Sequence, residues 1–214
     1  MGVITAIETQ KKHPNRRSVY VDGAFFCGAD EETIYISGLK VGDVVDEEDL
    51  ELLIKNETRK KAMFAAMNLL AIRERSTREI RTSLARKGYE EDVIESTLQR
   101  LGETNMINDD RFAELLVSSK TKEGAKPVGA VRIKRDLYEK GIDPKKIREI
   151  VDSLDPEEEL ERAKRAVVKK YRVEGDSSSF APDRALKSKI YAFLCGRGFT
   201  YSTIERLFSS FAEE

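Results

Sequence analysis

One apolar skeleton occurs three times in this chain. Ile80, Leu84, Gly88, Ile94, Leu98 and Leu101 are separated by intervals of 4, 4, 6, 4 and 3. Ile133, Leu137, Gly141, Ile147, Val151 and Leu154 repeat those intervals, and so do Ile190, Leu194, Gly198, Ile204, Phe208 and Phe211. Steps of three and four place each apolar group on one face of a helix, so each copy reads as helix, glycine turn, helix. The residue before each glycine is basic: Lys87, Lys140 and Arg197. Three copies in one register predict a tandem helical array.

Each pair of short helices has a longer lead helix in front of it. The first carries Met63, Phe64, Met67, Leu70 and Ala71 on one face, the second Phe112, Leu115 and Leu116, and the third spans Glu157 to about Tyr171. Each unit therefore reads as three helices. With 36% charged residues among 214 and a mean hydropathy of −0.50, little apolar surface is left for a thick core. The expected fold is mainly α: three tandem three-helix repeats in an extended curved array, after a small N-terminal β-element. The expected boundaries are 1–45 for the β-element, 46–57 for an acidic linker helix, and 58–104, 105–156 and 157–214 for the repeats.

Local signals refine that division. Val3–Ile7, Ser18–Val21, Ala24–Cys27 and Thr33–Ile36 are short β-branched or aromatic runs, and Asp22-Gly23 is a hairpin turn signal. Lys11, Lys12, Arg16 and Arg17, with His13, fall in the predicted loop between the first two strands, where a solvated loop is the simpler reading than a phosphate contact. Asp46 is placed to cap the linker helix with Asp49 at the capping-box position, and Ser76 with Glu79 has the same pattern. Asn108 or Asp109 caps the second lead helix, and Pro127 suits the first turn of the helix after it. Glu174 to Pro182, with Asp176-Ser177-Ser178-Ser179, reads as a flexible loop.

Charge placement narrows the partners. The formal net charge is −1, too small for a protein that coats DNA. Helix-turn-helix geometry invites a second helix into the major groove, yet in the first copy that helix begins with Glu90, Glu91 and Asp92 and continues with Glu95. Those carboxylates oppose the electrostatic term that dominates DNA affinity. Basic residues gather instead around the helix before each glycine: Arg78, Arg81, Arg86 and Lys87; Arg132, Lys134, Arg135 and Lys140; Lys187, Lys189 and Arg197. Residues 126–150 hold eight bases and four acids, and residues 184–206 hold five and one. Arg132/Asp136 and Arg135/Glu139 have ordinary i,i+4 ion-pair spacing, so part of this is a solvated face. The rest forms a discontinuous positive stripe that suits a long, repetitive, negatively charged surface such as nucleic acid or a filament enclosing it.

Enzyme signatures are absent. No phosphate-cradling GxxxxGK[ST], no GxGxxG and no nucleophile elbow occurs. One histidine and two distant cysteines, Cys27 and Cys195, supply neither zinc spacing nor nucleophile–base pairs. The acidic stretch from Asp43 to Glu57 lacks a converging ligand loop and is explained by helix capping. No apolar run approaches a membrane span, and no secretory core opens the chain, so a cytoplasmic binding module without metal or cofactor is expected.

Three motifs in order then carry a resemblance. Ser76-x-x-Glu79-Ile80-x-x-x-Leu84-x-x-Lys87-Gly88, Ile107-Asn108-Asp109-x-x-Phe112-Ala113 and Ile133-x-x-x-Leu137-x-x-Lys140-Gly141-Ile142 closely resemble the signature of RecX regulatory proteins. The match is close over residues 58–154 and looser in the third copy, where Arg197-Gly198-Phe199 stands in place of Lys-Gly. The resemblance implies a modulator of the RecA recombinase that lodges in the groove of the RecA–DNA filament. There it would damp ATP hydrolysis, strand exchange and co-protease activity in DNA repair and the SOS response. It implies no cofactor, no catalytic residue, and contact with DNA directly or through the filament; a monomer is the expected state. Direct DNA binding by the basic stripe, and a helical scaffold for another protein, remain the alternative readings.

Overall fold

The computed structural model describes residues 1–172 and 183–211. The loop expected at Glu174 to Pro182 therefore lies outside the described residues. Two compact units divide the chain: Met1–Arg75 with Glu79–Ile107, and Ser76–Arg78 with Asn108–Glu214.

In the first unit four strands, β1 (Gly2–Gln10), β2 (His13–Val21), β3 (Ala24–Asp30) and β4 (Val44–Val45), form an antiparallel sheet in the order β3-β2-β1-β4. Asp22 and Gly23 both have positive φ, 49° and 81°, as a two-residue hairpin requires. Two expectations change here. Thr33–Ile36 is not a strand but part of helix α1 (Glu31–Ser37), because Glu31 and Glu32 fill its first turn and Gly38, at φ 69°, closes it through its N–H to the Tyr35 carbonyl. Tertiary and capping context overrides the β-propensity of those residues. Arg16 and Arg17 lie within β2 rather than in a loop, where Arg16 pairs with Asp30 at 2.9 Å and Arg17 with Glu31.

The acidic linker helix and the first lead helix are one element, α2 (Glu47–Ile72). No glycine or proline interrupts this stretch, and at 26 residues it is about 39 Å long. Asp46 accepts from the Asp49 N–H and Asp49 accepts from the Asp46 N–H, so the capping box forms. One helix thereby serves two cores. Leu53 packs with Ile4, Val19, Ala29, Ile34 and Val45 of the sheet region, while Ala62 and Ala66 pack with Ile80, Leu84, Ile94, Leu98 and Leu101. The last five are the first copy of the skeleton, on α3 (Thr77–Arg86) and α4 (Glu91–Glu103). Buried Glu57 ties α2 to β3 by accepting the Asp30 N–H at 2.7 Å.

The second unit holds two helix triads. The first is α5 (Asp109–Thr121), α6 (Ala130–Glu139) and α7 (Pro144–Asp152); the second is α8 (Pro156–Tyr171), α9 (Arg184–Gly196) and α10 (Tyr201–Ser210). Ile133, Leu137 and Ile147 are buried with Phe112 and Ala113, and Ile190, Leu194, Ile204 and Phe211 with Leu160, Ala163 and Val167. Asn108 caps α5 by accepting the Arg111 N–H, whereas Asp109 accepts the Thr77 N–H at 2.8 Å at the start of α3. Pro127 does not open α6: Gly129 is its N-cap, and the Pro127 carbonyl accepts from Arg197 Nη1 at 3.0 Å.

Those two triads are joined by main chain. Gly129 N–H donates to the Arg197 carbonyl at 3.1 Å, and Val131 N–H to the Gly198 carbonyl at 3.0 Å. A Cβ on Gly129 would lie 2.2 Å from the Gly198 carbonyl oxygen, so only glycine permits the approach. Buried Glu159 completes the joint, accepting Ala130 N–H at 2.7 Å and the Thr203 hydroxyl at 3.0 Å. Burial lowers the pKa of Arg162, one turn along α8, and Glu159 opposes that shift.

Candidate functional site

All three turn glycines take left-handed φ, with Gly88 at 83°, Gly141 at 79° and Gly198 at 81°. Each closes the helix that carries the basic residues. What those residues do differs from turn to turn.

On α3, Arg81 is bound by Glu91 and Glu95 of α4. The hydrogen bond to Glu95 raises the Arg81 pKa, and its counterpart depresses that of Glu95. Arg78 donates to the Tyr138 carbonyl at 3.1 Å. Arg86 and Lys87 are exposed and have no hydrogen-bond or ion-pair partner among the described residues. On α6, Arg132 is bound to Asp136 at 2.8 Å, and Arg135 sits 3.6 Å from Glu139. Lys134 is exposed and unpaired among the described residues; Lys140 is half-buried and partnered. On α9, Lys187 lies over the Phe208 ring at 6.0 Å and Arg197 over the Phe193 ring at 4.8 Å. Lys189 is exposed and unpaired among the described residues. Free charge on the predicted stripe thus rests on Arg86, Lys87, Lys134 and Lys189, while Arg81, Arg132 and Arg135 are partly neutralised.

The base before the glycine lines a hollow in each unit. In the first, Lys87 borders a space of about 570 Å³ with Lys60, Lys61, Phe64 and Tyr89, where Arg16 and Lys60 are already held by carboxylates. In the second, Arg197 borders a space of about 990 Å³ between the α5–α6 loop and α9. Lys120, Lys122, Lys126 and Arg132 line it as well, against Glu123 as the lining acid. Buried Asp136 serves Lys120, at 3.0 Å, and Arg132 together, so one carboxylate offsets two cations.

Sequence reasoning found Arg132 and Arg197 but not Lys120, Lys122 and Lys126. Their signal was a lysine-rich connection, Lys120-x-Lys122-x-x-x-Lys126, ending beside Gly129. Glu159 had no signal, since its partners are 29 and 44 residues away in sequence. No helix among the described residues is long and apolar enough to cross a membrane, and no three of their His, Cys, Asp or Glu side chains are grouped to hold a metal ion.

Comparison with known proteins agrees with this architecture. The Regulatory protein RecX N-terminal domain matches residues 2–46, the first RecX three-helix domain residues 62–101, and the third RecX three-helix domain residues 157–208. The regulatory protein RecX of Clostridioides difficile strain 630 is 33% identical over 208 residues, covering 97% of this chain and 94% of its own length. That of Clostridium perfringens strain 13 is 32% identical over 201 residues, covering 94% and 92%. A crystal structure of a regulatory protein RecX superposes with a TM-score of 0.73 at 24% identity, over 98% of this chain and all of that one, which supports the fold. With identity above 30% along nearly its whole length, the chain belongs to the RecX family of regulatory proteins.

Proposed function

We propose that this protein binds the RecA–DNA filament and restrains its ATP hydrolysis, strand exchange and co-protease activity. The observation that carries this reading is the set of exposed, unpaired cations on equivalent helices: Arg86 and Lys87 on and after α3, Lys134 on α6 and Lys189 on α9. Free cations on the corresponding helix of each tandem repeat, although not at one repeated position, suit an extended anionic surface. The paired acids elsewhere keep total charge near zero, which favours a nucleoprotein partner over indiscriminate coating of DNA.

The test is recombinase ATP turnover on single-stranded DNA with the protein titrated in. Inhibition at ratios well below one per recombinase subunit is the expected result; unchanged turnover at saturation removes the reading. Lys87→Glu, Lys134→Glu and Lys189→Glu combined should raise the half-inhibiting concentration by about tenfold, taking roughly 0.5 kcal/mol per exposed pair lost. Helical content should be unaffected, since all three side chains are exposed. Full inhibition by that folded variant would remove the stripe from the mechanism.

A further inference from the structure

We propose that the cleft between the α5–α6 loop and α9 binds the phosphodiester backbone of single-stranded nucleic acid directly. This deepens the functional reading above, and it rests on that reading only in placing the strand within a filament.

Three features of the cleft support the assignment. Its charge is predominantly positive: five cations line it against Glu123, two of them (Lys120 and Arg132) sharing Asp136, and the neighbouring hollow that shares Lys126 and Arg197 adds Lys169 and Lys170. Lys122, Lys126 and Lys169 are exposed and have no partner among the described residues, so they are available to phosphates without breaking an ion pair. Next, the cleft has an aromatic floor. The Phe193 ring carries Lys170 Nζ at 3.9 Å and the Arg197 guanidinium at 4.8 Å from its centroid. Cations beside an aromatic are the common arrangement for tracking a single strand, whose bases stack on rings and guanidinium planes.

The walls are also fixed in advance. Gly129, Ala130 and Val131 are tied to Arg197, Gly198 and Glu159 by main-chain and carboxylate hydrogen bonds, so Arg132 and Arg197 are held at set positions. A site that needs no ordering on binding keeps more of its electrostatic attraction as affinity. At about 990 Å³ the space lies at the upper end for a small-ligand pocket, and it is concave, which favours a flexible strand over a rigid duplex. An acidic protein segment meets the same charges but has no use for the aromatic floor.

The experiment is binding of a labelled oligothymidylate, without recombinase, across a salt series. Lys122→Glu with Lys126→Glu is compared with Lys145→Glu with Arg148→Glu, two exposed α7 positions away from the cleft. Loss of two single-strand phosphate contacts should flatten the log–log salt slope by about 1.4 and weaken binding more than tenfold at about 0.1 M salt. The α7 pair should bind like the unaltered protein. If charge reversal perturbs folding, Lys122→Gln with Lys126→Gln reads the same slope change at lower cost to structure. An unchanged slope in the cleft variants, an equal loss in the α7 pair, or equal competition by duplex DNA or polyglutamate overturns the proposal. Recombinase ATP turnover separates the two readings. A protein that binds oligothymidylate through the cleft yet leaves the recombinase untouched refutes the regulatory reading and keeps this one. Cleft variants that still inhibit the recombinase and bind oligothymidylate with an unchanged salt slope do the reverse.

Discussion

The turn between α3 and α4 and the turn between α9 and α10 share one apolar skeleton and one glycine geometry, yet they are used differently. Gly88 is exposed, and a Cβ built on it meets nothing within 4 Å. Gly198 is buried, and a Cβ there would lie 2.4 Å from the Arg132 nitrogen. Charge follows the same division. The helix after Gly88 brings Glu91 and Glu95 to Arg81, whereas the helix after Gly198 is capped by Thr200 and leaves Arg197 on Phe193 at the cleft. A repeat of the backbone therefore does not repeat the surface. The first turn is an isolated corner with its cations partly neutralised, and the third is a joint that holds a basic wall in place.

The largest expected effect comes from separating these two uses of glycine. Gly88→Ala should cost about 1–2 kcal/mol, the penalty for a left-handed alanine alone. Gly198→Ala carries that penalty plus overpacking against main chain that cannot move aside, so about 3 kcal/mol or more is expected. Gly129→Ala, at an ordinary φ of −91°, isolates the overpacking component at about 1–3 kcal/mol. Native-state hydrogen exchange is the right measurement, because two units need not unfold together. Gly88→Ala should loosen amides of α3 and α4, and Gly198→Ala those of α6, α9 and α10. Equal losses for the two alanines would dissolve the contrast between corner and joint.

Next in size is Glu159. Removing its side chain leaves the buried Ala130 N–H without its acceptor and the Thr203 hydroxyl with the Thr200 hydroxyl alone, at about 2–3 kcal/mol for Glu159→Ala. Glu159→Gln keeps one acceptor oxygen and should cost about half as much. Binding of oligothymidylate should weaken in Glu159→Ala as well, because Arg132 and Arg197 lose their fixed spacing. Retained affinity with lowered exchange protection would show that the cleft does not depend on the joint.

Periodicity made the skeleton legible: apolar residues at four-, four-, six-, four- and three-residue steps are a local signal, and twelve of the fifteen apolar positions are buried, with Val151, Leu154 and Phe208 half-buried. Capping by Asp46 and Asn108 was legible for the same reason, since cap and helix adjoin in sequence. Thr33–Ile36 misled because its β-branched residues sit between an acidic first turn and a glycine stop, and those end effects decide a helix this short. Asp109 misled differently. It sits where a cap of α5 belongs but accepts from Thr77, 32 residues away. The basic residues were legible as composition and not as site. Whether Arg81 or Lys134 is free depends on which carboxylates the fold brings near, and spacing reveals only i,i+4 partners such as Asp136 for Arg132.

The smallest effect tests the neutralised side of the comparison. Arg81 holds Glu95 by a hydrogen bond that draws its pKa below the ordinary carboxylate value. A group depressed on folding stabilises the protein above its unfolded pKa, and that contribution disappears as pH falls through the lower folded value. Glu95 should therefore titrate below 4.5 when followed by side-chain NMR, and Glu95→Gln should flatten the acid limb of exchange protection in α3 and α4. Glu91→Gln with Glu95→Gln releases Arg81 altogether. If neutralisation is what separates the first turn from the third, the freed guanidinium adds one contact to a polyanion, and the oligothymidylate salt slope steepens by about 0.7. No change in slope would mean that Arg81 points away from any bound strand, and that the acids of α4 exist to fix α3 rather than to silence its charge.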